Sequence, residues 1–76
     1  MKSLTIKIDS IDKVKEFVNI INVFDGEFDL VSDRYVIDAK SIMGIFSLDI
    51  SSPVRLDVHD EATFDEVAKA LDKFKA

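Results

Sequence analysis

Lys40-Ser41-Ile42-Met43-Gly44-Ile45-Phe46-Ser47-Leu48 is the stretch on which the reading of this chain turns. Ser41 stands where a helix N-cap belongs. Its short side chain can accept a hydrogen bond from a backbone N–H that the first helical turn leaves without a partner. The spacing predicts a short helix over Ile42–Leu48. A segment of that length winds about two turns, and a stripe facing a core takes about half of it. Ile42, Met43, Ile45, Phe46 and Leu48 are too many apolar side chains for one stripe. The surplus is expected on the surface, where clustered apolar residues mark contact sites.

Working outward toward the N-terminus, Leu4, Ile6 and Ile8 alternate with Thr5 and Lys7, the period of a half-buried strand. Ser10 is a second N-cap. After it Ile11, Val14, Phe17, Val18 and Ile21 recur at helical spacing, which predicts an amphipathic helix from about Ile11 to Val23. Asp25-Gly26 reads as a turn. Phe28 and Leu30 alternate with Glu27 and Asp29 in a second strand. Ser32-Asp33 is the expected hairpin connection to a third strand, Tyr35–Ile37, with Tyr35 packed in the hairpin. Asp29 and Asp38 suggest that one face of that hairpin is wet.

Toward the C-terminus, Val54, Leu56 and Val58 alternate with Arg55, Asp57 and His59, giving a fourth strand with His59 facing water. Thr63 followed by Glu66 reads as a capping box. Phe64, Val67, Ala68, Leu71 and Phe74 then form the apolar stripe of a last helix, with Lys69, Lys73 and Lys75 near its negative end. The order is β-α-β-β-α-β-α. Half-polar strands pack helices on one face only, so the expected fold is α+β. It is a two-layer open-faced sandwich, a four-stranded antiparallel sheet covered on one face by three helices.

Composition bounds the function. With 76 residues the chain is read as a single domain, 1–76. Hydrophobic residues make up 47% and charged residues 33%, the balance of a globular protein rather than a disordered one. There is no cysteine, which removes disulfides, thiol chemistry and Cys-based zinc sites. One histidine cannot build a His-rich metal centre, and no metal or cofactor is expected. A formal charge of −5 disfavours nucleic acid and acidic membranes as partners. No signal-peptide run or membrane-length apolar segment is visible, so the expected location is cytoplasmic.

Lys-Ser-Ile-Met-Gly followed by an apolar pair, serine and leucine closely resembles the regulatory-serine motif of HPr, the phosphocarrier of the bacterial sugar phosphotransferase system. The resemblance runs without gaps from about Phe24 through the last helix, about two-thirds of the chain. The element order read above is also the HPr order. The resemblance implies two activities. HPr carries a phosphoryl group on a histidine at the start of its first helix, within a Gly-(Leu/Ile)-His-Ala-Arg-Pro-Ala signature. A dedicated kinase also phosphorylates it on the serine of Lys-Ser-Ile-Met-Gly. The first event drives sugar uptake, and the second redirects carbon regulation by changing partners. The family's apolar residues on the second helix dock enzyme I, the kinase and a transcriptional corepressor. They correspond here to Ile42, Met43 and Phe46, beside Lys40.

At the first helix the sequence departs from the family. Counting back from Ser41 without gaps, Ser10-Ile11-Asp12-Lys13-Val14 stands where the family has His-Ala-Arg-Pro-Ala. A relay needs a phosphoramidate of high transfer potential at a helix N-terminus. A serine ester at Ser10 is too stable to pass its phosphate on. An acyl phosphate on Asp12 has chemical precedent, but nothing in the sequence activates it, and its simpler role is a helix-favouring acid. Lys13 and Lys15 read as a solvated face, with Asp9, Asp12 and Glu16 opposing any anion site.

The expected function is therefore a non-enzymatic, regulatory protein-binding module. It has no catalytic residue, Ser41 is its candidate phosphorylation site, and Lys40, Ile42, Met43 and Phe46 form its contact surface. Its partners are expected among phosphotransferase-system or carbon-regulation proteins, including a kinase for Ser41. The alternatives are a phosphocarrier using Asp12 or His59, and a structural module that dimerises through Ile42–Phe46.

Overall fold

Every second residue of Val54–Val58 is apolar, and Val54, Leu56 and Val58 all point to one buried side. This strand, β4, is the spine of the sheet. In the computed structural model, which describes residues 1–76, β1 (Lys2–Ile6) lies on one side of it and β2 (Phe28–Ser32) on the other, with β3 (Tyr35–Asp38) outermost. The order is β1-β4-β2-β3, and every neighbouring pair is antiparallel. Lys2 stands opposite Val58 and Ile6 opposite Val54, while Phe28 takes the other flank of Val58. Three helices, α1 (Ile11–Ile21), α2 (Ile42–Phe46) and α3 (Phe64–Ala70), complete the expected open-faced α+β sandwich. The 17 buried apolar residues form one cluster, with Phe17 and Phe74 meeting edge to face.

Several boundaries differ from the sequence expectation, each for a local reason. β1 begins at Lys2 and ends at Ile6. Ile8 is fully buried, but it packs after the strand has ended, as the chain turns toward α1. The hairpin turn is Asp33-Arg34, not Ser32-Asp33, because Ser32 pairs with Tyr35, and Asp33 takes the left-handed φ of 53° that a tight turn requires. Tyr35 is 64% exposed rather than packed, because β3 is an edge strand. α1 stops at Ile21 with Asn22 as its C-cap, which leaves Val23 exposed.

The last helix departs most. Thr63 makes no capping hydrogen bond from its side chain. The capping role falls to Asp60, whose side chain accepts from Ala62 N–H at the start of a 3-10 turn, Glu61–Thr63, that leads into α3. α3 ends at Ala70, and Asp72–Phe74 tightens into a second 3-10 turn that keeps Leu71 and Phe74 buried. Backbone pairing explains the tightening. Lys7 N–H donates to the Phe74 carbonyl, Ala76 N–H donates to that of Thr5, and Ile6 bridges to Lys75. No helix is long and apolar enough to cross a membrane.

Candidate functional site

Ser41 has extended backbone, and its Oγ accepts a hydrogen bond from Gly44 N–H at 3.2 Å, the cap expected of it. Behind it, α2 is anchored by Ile45, which is fully buried, and by Leu48 just beyond the helix. The helix is shorter than Ile42–Leu48. It ends at Phe46, where the Ser47 hydroxyl turns back to donate to the Gly44 carbonyl. With Ile45 and Leu48 taking the inner side, Met43 is left 79% exposed and Phe46 41% exposed, while Ile42 is half-buried. Met43 and Phe46 are three residues apart, so they lie on one face of the helix.

Gly44 was not singled out in the sequence, yet it shapes this corner. A Cβ there would stand 3.2 Å from Ser41 Oγ and 3.4 Å from Cδ1 of Ile37. A side chain there would press on the Ser41 hydroxyl, which would have to give by a few tenths of an ångström, so glycine lets the first turn of α2 close under that hydroxyl with Ile37 packed beneath it. The Lys-Ser-Ile-Met-Gly spacing carried that signal. Lys40 is placed differently from the simple picture of a cation beside Ser41. Its ammonium donates to the Phe24 carbonyl at 2.7 Å and lies over the Phe28 ring, 5.4 Å from its centroid. It ties the loop before β2 to the sheet rather than pointing at the Ser41 hydroxyl.

α1 packs against α2, and its start has a different character. Ser10 caps it by accepting from Lys13 N–H at 3.2 Å. Lys13 is not available to an anion, because its ammonium is held 3.0 Å from Asp9 Oδ1. That hydrogen bond is the main cause holding the Asp9 carboxyl below the usual range, with the charges of Lys13 and Lys7 adding to it. Asp12 is exposed in the first turn. Ile11, expected in the buried stripe, is 60% exposed. At about 100° per residue it lies about 70° from the mean direction of Val14, Phe17, Val18 and Ile21, at the margin of the stripe.

The chain's one histidine is remote from the start of α1. His59 follows β4, level with the start of β1, whereas α1 follows the end of β1. A strand length of roughly 13 Å separates the two levels. On the open face of the sheet, His59 Nε2 lies 2.6 Å from Asp29 Oδ2, so this exposed histidine is tethered and not merely solvated. Beside it, Asp57 is buried although it sits on the open face. Burial pushes its carboxyl up. Hydrogen bonds from the Arg55 guanidinium and the Ser3 hydroxyl, with the nearby charges of Arg55 and His59, outweigh that and hold it below the usual carboxylate range. No cluster of three His, Cys, Asp or Glu residues fit to hold a metal is present.

A four-stranded antiparallel sheet in the order β1-β4-β2-β3, with serine-capped first and second helices side by side on one face, defines a class of small open-faced sandwich. Comparison with solved structures narrows the class. The fold is similar to that of HPr-C-His from Thermoanaerobacter tengcongensis, with 31% sequence identity, a TM-score of 0.81, and coverage of 96% of this chain and 89% of that chain. The chain belongs to the HPr family. It also matches the fold of the phosphocarrier protein HPr from Bacillus anthracis str. Ames, at 24% identity and a TM-score of 0.65 over 92% of this chain and 93% of that one. No protein-family model and no curated protein matches the sequence.

Proposed function

We propose that this HPr-family chain works in the phosphotransferase system or its carbon regulation as a protein-binding module, not as a histidine phosphocarrier, and that Ser41 is its switch. The observation that carries the reading is the shape of α2. Ile45 and Leu48 hold it down while Met43 and Phe46 stand out beside a capped serine hydroxyl. Exposed aromatic and methionine side chains on an anchored helix are what a partner's pocket can bury.

A kinase that transfers the γ-phosphoryl of ATP to Ser41 Oγ places about −1.5 to −2 charges at the rim of that apolar patch. A partner that buries Met43 and Phe46 then meets a dianion it must desolvate or pair. That is how one modification exchanges one partner for another. The start of α1 supports the other half of the reading. Ser10, Asp12 and an Asp9-bound Lys13 make up the start of α1, and His59 lies on the open face of the sheet, level with the other end of β1.

The test is direct. Purified chain is titrated with enzyme I and with an HPr kinase, and the kinase reaction is run with labelled ATP. Binding is expected to weaken sharply in Met43→Lys and to survive in Ser41→Ala, and the label to be absent in Ser41→Ala alone. Binding unaffected by Met43→Lys and Phe46→Ala would remove α2 as the contact surface.

A further inference from the structure

The two edges of the sheet are treated differently. The last residues of β1 are already paired on their outer side by Phe74–Ala76. β3 has no strand beyond it. Its exposed backbone groups can be assigned from the register. Ala39 N–H donates to the Phe28 carbonyl, so in this antiparallel ladder the bond-exchanging pairs are Phe28 with Ala39, Leu30 with Ile37 and Ser32 with Tyr35. Val36, the alternate residue, turns both its N–H and its C=O away from β2 toward the free edge, and Asp38 turns its N–H there while its carbonyl accepts from Ser41 N–H. An open edge is a template for another strand. Tyr35 and Val36, 64% and 61% exposed, would serve such a strand on both faces.

We propose that the free edge of β3 pairs with the same edge of a second copy of this chain. The two would form a C2 dimer whose sheets join into one of eight strands, with the two-fold axis passing between the two Val36 residues. The order of the residues favours a second copy over any other strand. With Val36 opposite Val36, Arg34 falls opposite Asp38 at both ends, and Tyr35 falls opposite Ile37. The charges are complementary under the two-fold operation, the self-complementarity that an isologous interface demands. Edge strands are commonly protected by charged side chains, lysine above all, and like charges repel a copy of the same edge. Here the two signs sit where a copy attracts them.

Arg34 makes no ion pair within its own chain. Asp38 keeps one carboxylate oxygen free after Oδ1 accepts from Lys40 N–H. The Val36 pair exchanges two backbone bonds, and each Asp38 N–H reaches the partner's Arg34 carbonyl, about four bonds in all. Val31, opposite Val36 in its own hairpin, extends the apolar contact on the open face. The interface is small, so the dimer is weak and reversible. It leaves the exposed Met43 and Phe46 of α2 uncovered, and adjoins the Ser41 corner only through Asp38, whose carbonyl accepts from Ser41 N–H.

Sedimentation equilibrium over a concentration series tests this with three variants. Val36→Pro removes an edge N–H that β2 does not use, a substitution edge strands accept. It is expected to leave the circular dichroism unchanged and to abolish association. Arg34→Asp and Asp38→Arg place like charges opposite each other in the homodimer, and each is expected to weaken it at least about tenfold. An equimolar mixture of the two is expected to associate as tightly as the unaltered chain, because every edge charge then meets its opposite. Net charge alone would make Arg34→Asp weaker and Asp38→Arg tighter, a split that overturns the proposal. So does an unaltered chain that is monomeric at about 1 mM, or a dimer indifferent to all three substitutions. Should Val36→Pro fail to fold, the mixing experiment decides alone.

Discussion

At the start of α1, Ser10 takes the Lys13 N–H at 3.2 Å; at the start of α2, Ser41 takes the Gly44 N–H at the same distance. As caps the two serines are interchangeable. Their surroundings are not. The first is set among charges, with Asp9 bound to Lys13 and Asp12 in the first turn. The second has no acidic residue in its first turn, a glycine pressed close under its hydroxyl, and two exposed apolar side chains beside it. A serine cap is a common way to satisfy the free N–H groups of any helix start, so its presence says nothing about chemistry. What the hydroxyl faces is what distinguishes a structural serine from one that a partner or a kinase reads.

The largest effect that separates the two sides of α2 comes from Ile45→Ala, which empties a fully buried site. It should cost about 2–5 kcal/mol in urea unfolding, whereas Met43→Ala should stay within about 0.5 kcal/mol and act only on binding. Comparable losses from both would mean that Met43 is core, and the contact surface would shrink to Phe46. Next come the caps themselves. Ser10→Ala and Ser41→Ala should each lose about 1 kcal/mol, nearly equal in stability and unequal in phosphorylation, since only Ser41→Ala should remove the kinase label.

Gly44→Ala should be smaller in stability. A helix favours alanine over glycine by up to about 1 kcal/mol, and the crowding against Ser41 Oγ offsets that gain. Its main consequence should be a lower rate of Ser41 phosphorylation, read with labelled ATP.

The smallest effect is acidic. The Asp9 carboxyl sits below its ordinary pKa, so its contribution is complete above the unfolded value near 3.8 and fades as pH falls through the lower folded one. Protection of the amides near Lys13, relative to their intrinsic exchange rates, should therefore fall in acid below about pH 4, while that of Gly44 N–H, with no acid in its first turn, should not follow.

Much of this contrast was legible in the residues. Both caps and the surplus of apolar side chains on α2 can be read from spacing and residue type, whereas reading Ser10-Ile11-Asp12-Lys13 as a departure rests on the family resemblance. What escaped was decided partly by competition between neighbouring residues and partly by contacts distant in sequence. Ile8 alternates correctly with Ile6, yet the strand ends before it, because its burial comes from packing and not from pairing. Tyr35 looked packed because it opens an apolar strand, Tyr35–Ile37, of a hairpin; only the sheet order reveals that β3 has one flank empty. Thr63 and Glu66 matched a capping box, but Asp60 outcompeted Thr63 by opening the turn one step earlier. Lys40 adjoins Ser41 in the chain, while its ammonium serves the Phe24 carbonyl, sixteen residues away.

The central claim is that phosphate enters this domain at α2 and not at α1. Incubation with enzyme I and labelled phosphoenolpyruvate, beside a histidine-bearing HPr as control, tests it most directly. Label is expected on the control and none on this chain. Label recovered on His59 or Asp12 would contradict it.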